Sequence, residues 1–357
     1  MNRRLRTFVW GVLPIAALGT LASLDHVPGT DIDLTVPYAA EGPGPTFNTL
    51  DDYEGKPVID IQGAELDPTS GNLNMTTVAV RTHMSLAQTL YRWVATKDTI
   101  VPIEQIFPPG FSEEQVQENN KIAFSTSENA ATAAALRYLN RPFDVRVEEI
   151  LPDSSAKDVL APGDIIVAVD GRKVADPMTV RTAVRAHAPG EDVSIMVRKD
   201  SGEEAVHKLK LGQSKQEAGK AQLGILMSAQ SAEGIQVEYN LDDIGGPSAG
   251  LIFSLAVVDK LSPGEINGGK FVAGTGTIKE DGTVGPIGGI VHKIQAASDA
   301  GAEVFLSPRL NCGEALSRKH DNLTIVAVDS LEDAISQLEA YNRGDKEQLR
   351  TCDQAKN

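Results

Sequence analysis

Residues 244–250, Ile-Gly-Gly-Pro-Ser-Ala-Gly, constrain the fold of this chain more than any other stretch. The alternating run Ile235–Asn240 precedes them, and the run Leu251–Val258, apolar but for Ser254, follows. That order predicts a strand, a small-residue loop and a buried helix. Such a loop aims backbone N–H groups and the positive end of the helix at Ser248. Three uses fit: a nucleophilic hydroxyl beside an oxyanion hole, a phosphate cradle, or a plain helix cap. The motif alone leaves all three open. Pro247 carries no N–H, so oxyanion donors would come from Gly246, Ser248 or Ala249.

A second motif narrows the choice. Phe271–Ile278 contains Thr275-Gly276, and it leads to Pro286-Ile-Gly-Gly-Ile-Val-His-Lys293. With Pro247-Ser-Ala-Gly250, these resemble the proteolytic domain of Lon proteases. In that family a Pro-Ser-Ala-Gly serine is followed by a Thr-Gly segment, then by Pro-Ile-Gly-Gly with a lysine four residues on. The spacing from Ser248 to Lys293 is 45 residues. The resemblance runs on through Ala296–Pro308 and covers about 221–341. It implies a serine endopeptidase with a Ser248–Lys293 dyad and Thr275 orienting the lysine; Gly246 and Ala249 are the supporting residues on the loop reading above. A lysine acts as base only when neutral, against a usual pKa of about 10.4. Burial among residues such as Ile290, Val291 and Ile294 would lower it. His292 is expected on the surface. Gly245 stands where many cytoplasmic Lon enzymes carry an aspartate. A sugar- or nucleotide-kinase-like domain would explain the first motif but not the second.

Residues 142–212 have a different texture. Val145–Ile150, Val193–Arg198 and Val206–Leu211 read as strands, and Pro177–His187 as a helix. Leu160-Ala-Pro-Gly-Asp-Ile-Ile-Val-Ala-Val-Asp-Gly171 resembles a PDZ domain. That family binds extended peptides by adding a strand to an open sheet edge. The family's Gly-Leu-Gly-Phe carboxylate loop has no counterpart at Leu139–Val145.

The N-terminus begins with Arg3, Arg4 and Arg6, followed by an uncharged run over 7–24. The 18 residues are near the lower limit for a spanning helix, and the basic flank predicts that the remainder lies outside the cytoplasm. The reading is a signal anchor over 1–24; a cleaved signal peptide is the alternative. In that compartment a Cys312–Cys352 disulfide is permissible. Closing that loop stabilises by up to about 4 kcal/mol in the chain-entropy model.

The rest of the chain reads as a Gly/Pro-rich linker over 25–55, an α/β region over 56–141 and a polar tail over 342–357. Within 57–140 no residue suggests chemistry, and Trp93 is expected to be packed. The fold class is thus α+β multidomain: transmembrane helix, N-terminal α/β region, PDZ domain and Lon-type proteolytic domain. Lys+Arg number 33 against 49 Asp+Glu, a net charge of −16, which disfavours nucleic acid. Two distant cysteines give no metal-ligand spacing, so no metal or cofactor is expected. No G-x-x-x-x-G-K-[ST] phosphate loop occurs, so no ATP-driven unfoldase is expected. Expected partners are protein or peptide substrates, the membrane, and further copies of the chain in a ring, the last by family resemblance. The rival reading is a membrane-anchored PDZ scaffold with an inactive Lon-like domain.

Overall fold

The computed structural model describes residues 3–152, 154–214, 217, 219–241, 244–320 and 322–354. The outermost positions of the expected anchor (1–2) and tail (355–357) fall outside them. In chain order, the main strands are β1 (Tyr38–Asn48), β2 (Asn72–Arg81), β3 (Thr99–Pro102), β4 (Phe143–Ile150), β5 (Ile165–Val169), β6 (Asp192–Arg198), β7 (Glu204–Lys210), β8 (Ile225–Ser231), β9 (Phe271–Gly274), β10 (Val304–Pro308) and β11 (Thr324–Val328). The main helices are α1 (Arg3–Ser23), α2 (Leu86–Ala95), α3 (Glu113–Tyr138), α4 (Pro177–Arg185), α5 (Gly250–Leu261), α6 (Ile290–Ala300) and α7 (Leu331–Arg343).

These form two compact units, one of residues 1–59, 67–131 and 239–357, the other of 60–66 and 132–238. The first is built on a mixed sheet in the order β11-β10-β9-β2-β1-β3. β9, β10 and β11 pair in parallel, β9 also pairs in parallel with β2, and β1 is antiparallel to β2 and β3. All twelve residues of α5 are buried, as a helix that is apolar on every side from Leu251 to Val258 apart from Ser254 requires. Ile290 and Ile294 of α6 join Ala273, Phe305 and the Cys312–Cys352 pair in one core cluster.

Four sequence expectations change here. The supposed linker over 25–55 contains β1, an interior strand of the sheet. A register shift between Pro43 and Thr46 absorbs the Gly-Pro run that resembled a linker; bulges are where sheets tolerate proline. The 56–141 region is not a domain of its own, because β2 lies between β1 and β9 in the sheet of the first unit. The tail beyond 342 is folded in: Cys352 is buried and disulfide-bonded to Cys312, Cα to Cα 5.0 Å, and Thr351 bridges to Val326. Finally, α1 forms across the expected anchor, yet among the described residues no helix is long and apolar enough to cross a membrane. Its uncharged run is short and interrupted by Gly11, Pro14 and Gly19.

The second unit is an antiparallel sheet in the order β7-β6-β5-β4-β8, with the short strand Arg172–Lys173 beside β5. α4 begins at Asp176, whose carboxylate caps the Thr179 amide, with Pro177 opening the helix. Val145, Val147, Ile166, Val180 and Ile195 pack in its core. The unit extends past the expected boundary at 212, because β8 completes its sheet. Residues 221–238, read as the start of the Lon-like domain, therefore belong here.

Candidate active site

Ser248 sits in a single tight turn, Pro247–Ala249, that runs straight into α5. Lys293 lies on the first turn of α6, which starts after Gly289 in the left-handed conformation (φ 67°). A side chain at 289 would also collide with Val78, its Cβ only 2.7 Å from Val78 Cγ2. Glycine is thus required where α6 meets β2.

The two motifs converge. Lys293 Nζ lies 2.7 Å from Ser248 Oγ, 2.9 Å from the Thr76 carbonyl and 3.2 Å from Thr275 Oγ1. Thr275 in turn donates its hydroxyl to the Ser248 carbonyl at 3.0 Å. The Gly276 amide donates to the same carbonyl at 2.9 Å. The Thr275 hydroxyl proton is thereby committed, and its oxygen is left to accept from the lysine.

Lys293 is 4% exposed. Burial lowers its pKa from the usual 10.5 to about 7; among the described residues no carboxylate lies within hydrogen-bonding reach of Nζ to restore the charge. A neutral amine has two N–H donors and one lone pair. Thr76 O and Thr275 Oγ1 take the donors, and the lone pair faces the Ser248 hydroxyl. That arrangement can pull a proton from Ser248.

Some expectations fail in detail. The Gly246 amide donates to the Asn120 carbonyl at 2.9 Å, so it is committed to α3 and is not a spare oxyanion donor. The Ser248 amide is the first N–H of the turn, since Pro247 has none. Ala249 is buried and shapes the turn. His292 is 3% exposed, not on the surface, and its Nδ1 has no hydrogen-bond partner. Burial keeps its pKa below the usual histidine value. The hydroxyl of Ser248 meets Lys293, not its neighbour.

Sequence reading also missed contributors from residues 57–140. Thr76 on β2 supplies the lysine's carbonyl partner. Ser127 of α3 donates to the Pro247 carbonyl at 3.1 Å, and Asn120 holds Gly246. A Cβ at Gly245 would stand 3.0 Å from Asn120 Cβ. None carries a local signal, because each acts through backbone geometry set by tertiary packing. A cleft of about 690 Å³ opens over the dyad, with Met75, Phe124, Ile244 and Ile287 among its apolar walls.

The PDZ-like unit carries a cleft of its own, about 630 Å³, between α4 and β8. β8 pairs with β4 on one side, and among the described residues no strand pairs with its other edge. It is opened by Leu223-Gly224-Ile225, with Gly224 at φ 73°. The carboxylate loop sought near residue 140 was sought before the wrong strand: β4 is interior, flanked by β5 and β8. Arg181 and Arg185 of α4 line the cleft, and Arg185 is paired with Glu217 at 2.5 Å.

Comparisons with known proteins agree with both units. Residues 235–339 match the Lon protease (S16) C-terminal proteolytic domain, and residues 115–208 match a PDZ domain. The archaeal Lon protease of Methanothermobacter thermautotrophicus is 36% identical over 103 residues, 28% of this chain and 16% of that protein. Lon protease 2 of Bacillus subtilis is 33% identical over 95 residues, 27% of this chain and 17% of that protein. The chain thus spans about a sixth of the length of these curated relatives. Among solved structures, the PDZ domain of the SdrC-like protein of Listeria monocytogenes is 25% identical, covers 23% of this chain and 85% of that one, and has a TM-score of 0.22. One segment of the chain is thus similar to the proteolytic domain of Lon proteases and another to PDZ domains.

Proposed function

We propose that the chain is an ATP-independent serine endopeptidase that works outside the cytoplasm on unfolded or flexible proteins. The observation that carries this reading is the buried Lys293 amine 2.7 Å from the Ser248 hydroxyl. Neutral Lys293 takes the Ser248 proton as Oγ bonds to the substrate carbonyl carbon. The Ser248 amide would donate to the oxyanion. The ammonium then gives its proton to the leaving amine as the C–N bond breaks, leaving an acyl-enzyme. Water, deprotonated by the same lysine, releases the acid and restores Ser248.

The PDZ-like unit would select substrates by pairing an extended segment with the free edge of β8. The Cys312–Cys352 bond supports an oxidising compartment. The N-terminal helix would hold the chain at the membrane, and a ring of copies is implied by resemblance alone. The test is cleavage of an unstructured fluorogenic peptide without ATP. Ser248→Ala and Lys293→Arg should both abolish it, since arginine does not give up its proton near neutrality. Full activity in Ser248→Ala would sink the peptidase reading.

A further inference from the structure

α2 is turned inside out for a helix on an aqueous surface. Thr89 is its buried residue and Ser85 its buried cap, whereas Leu86, Leu90, Tyr91, Trp93 and Val94 all face outward. Trp93 is 68% and Val94 77% exposed. Water-facing helices do the reverse, with the apolar stripe inward. Leu86, Leu90, Trp93 and Val94 fall at i, i+4, i+7 and i+8, with Tyr91 beside them at i+5, so they make a stripe and not scattered single exposures. Trp93 is therefore not the packed residue that its sequence context suggests.

The next feature along is cationic. Trp93 borders a cleft of about 620 Å³ that also holds Lys97, Arg318 and Lys319. Its carboxylate Asp98 is engaged by Arg92 at 2.7 Å. The Arg318 guanidinium donates to the Lys97 carbonyl at 3.1 Å, which holds it at the cleft. Lys97 meets Asp299 at 3.3 Å, with both side chains more than half exposed, a pair that water weakens. On a chain of net charge −16, three cations beside an aromatic stripe form a local exception. Aromatic and aliphatic side chains on one flank with lysine and arginine beside them match the boundary between acyl chains and anionic headgroups.

We propose that α2 is an interfacial docking element: its stripe inserts at the surface of an anionic phospholipid bilayer, and the Lys97–Arg318–Lys319 cleft receives a headgroup phosphate. Continuity supports this occupant. α1, with its exposed Trp10, Leu13, Ile15 and Leu18, packs beside α2. The chain between them is tied to the start of α2 by the Val36 amide, which donates to the Met84 carbonyl at 2.9 Å. The proposal rests on α2 and does not need α1 to span the bilayer.

The two tryptophans separate these possibilities, because Trp10 and Trp93 are the only ones in the chain. The full chain with Trp10→Phe reports Trp93 alone; with Trp93→Phe it reports Trp10 alone. Vesicles of phosphatidylglycerol with phosphatidylcholine, carrying brominated acyl chains, should quench Trp93 and shift its emission to the blue. Leu90→Ser with Val94→Ser should weaken that partition by about tenfold or more. Arg318→Glu with Lys319→Glu should remove the preference for phosphatidylglycerol over phosphatidylcholine alone. Quenching of Trp10 with Trp93 unaffected would overturn the proposal while leaving the N-terminal helix at the membrane. Equal binding of wild-type chain to uncharged vesicles would overturn the headgroup assignment. A Trp93 shift that follows protein concentration without lipid would overturn it in favour of a second copy of the chain.

Discussion

The two clefts have nearly the same volume, about 690 and 630 Å³, yet they are built on opposite principles. The cleft over Ser248 is closed around a few fixed polar atoms. Lys293, Thr275 and Thr76 satisfy one another, and the lysine is stripped of water. The cleft beside β8 offers a strand edge with no partner strand among the described residues, and Arg181 and Arg185 on its wall. Chemistry needs preorganised atoms in a dry setting, whereas recognition of many sequences needs backbone pairing that ignores most side chains. Perturbing the first should cost orders of magnitude, and perturbing the second only factors.

The strongest attempt to break that contrast is Ser248→Ala or Lys293→Ala. Either should lower kcat/KM for a short peptide by about 10⁴-fold or more, with circular dichroism unchanged. A loss no larger than that of a variant in the β8 cleft would erase the distinction.

Next in size is the disulfide, which lies in the unit that carries Ser248 and Lys293 and not in the other. Cys312→Ser with Cys352→Ser should destabilise that unit by up to about 4 kcal/mol. Hydrogen exchange should then quicken in β10 and β11 and stay slow in β4–β6. Equal quickening in both sheets would mean that the two units unfold as one.

The pH dependence sharpens the comparison further. Peptide cleavage should rise about tenfold per pH unit below the Lys293 pKa of about 7 and level off above it. Stability carries the matching sign. The unfolded lysine, with a pKa near 10.4, binds more protons than the folded one between about pH 7 and 10. Stability should therefore rise with pH across that window, with the whole penalty present below pH 7. Lys293→Met should flatten that slope in denaturant titrations at pH 7 and 10; an unchanged slope would place its origin elsewhere.

A smaller effect is expected at Gly245, where an added Cβ would press on Asn120. Gly245→Asp should displace the turn that carries Ser248 and lower peptide kcat/KM by about tenfold, as slight misplacement of reacting groups does. Wild-type kinetics would show that α3 yields. The smallest effect should come from Arg181→Asp, which leaves the dyad intact. It should lower kcat/KM for a protein substrate by about 3- to 10-fold and affect a short peptide less. Equal losses on both would assign the cleft a structural role.

Residue order alone singled out the three side chains that the fold brings together around Lys293. Ser248, Thr275 and Lys293 lie in short contiguous motifs whose glycines and prolines set local backbone geometry, and local geometry is what a sequence displays. The PDZ-like strands and α4 were legible for the same reason: period-two alternation and a Pro-Gly-Asp turn are local signals. Other features depended on partners far along the chain. β1 looked like a linker because its proline-bearing bulge is stabilised only by pairing with β2. The Thr76 carbonyl became a ligand of Lys293 across 217 residues. β8 is an edge strand of the second sheet and β4 is not, which only strand order reveals. Burial of His292 and exposure of Trp93 were likewise decided by packing. A side chain's type sets what it would cost to bury or expose it, but the neighbours that cover it come from non-local contacts that no local pattern records.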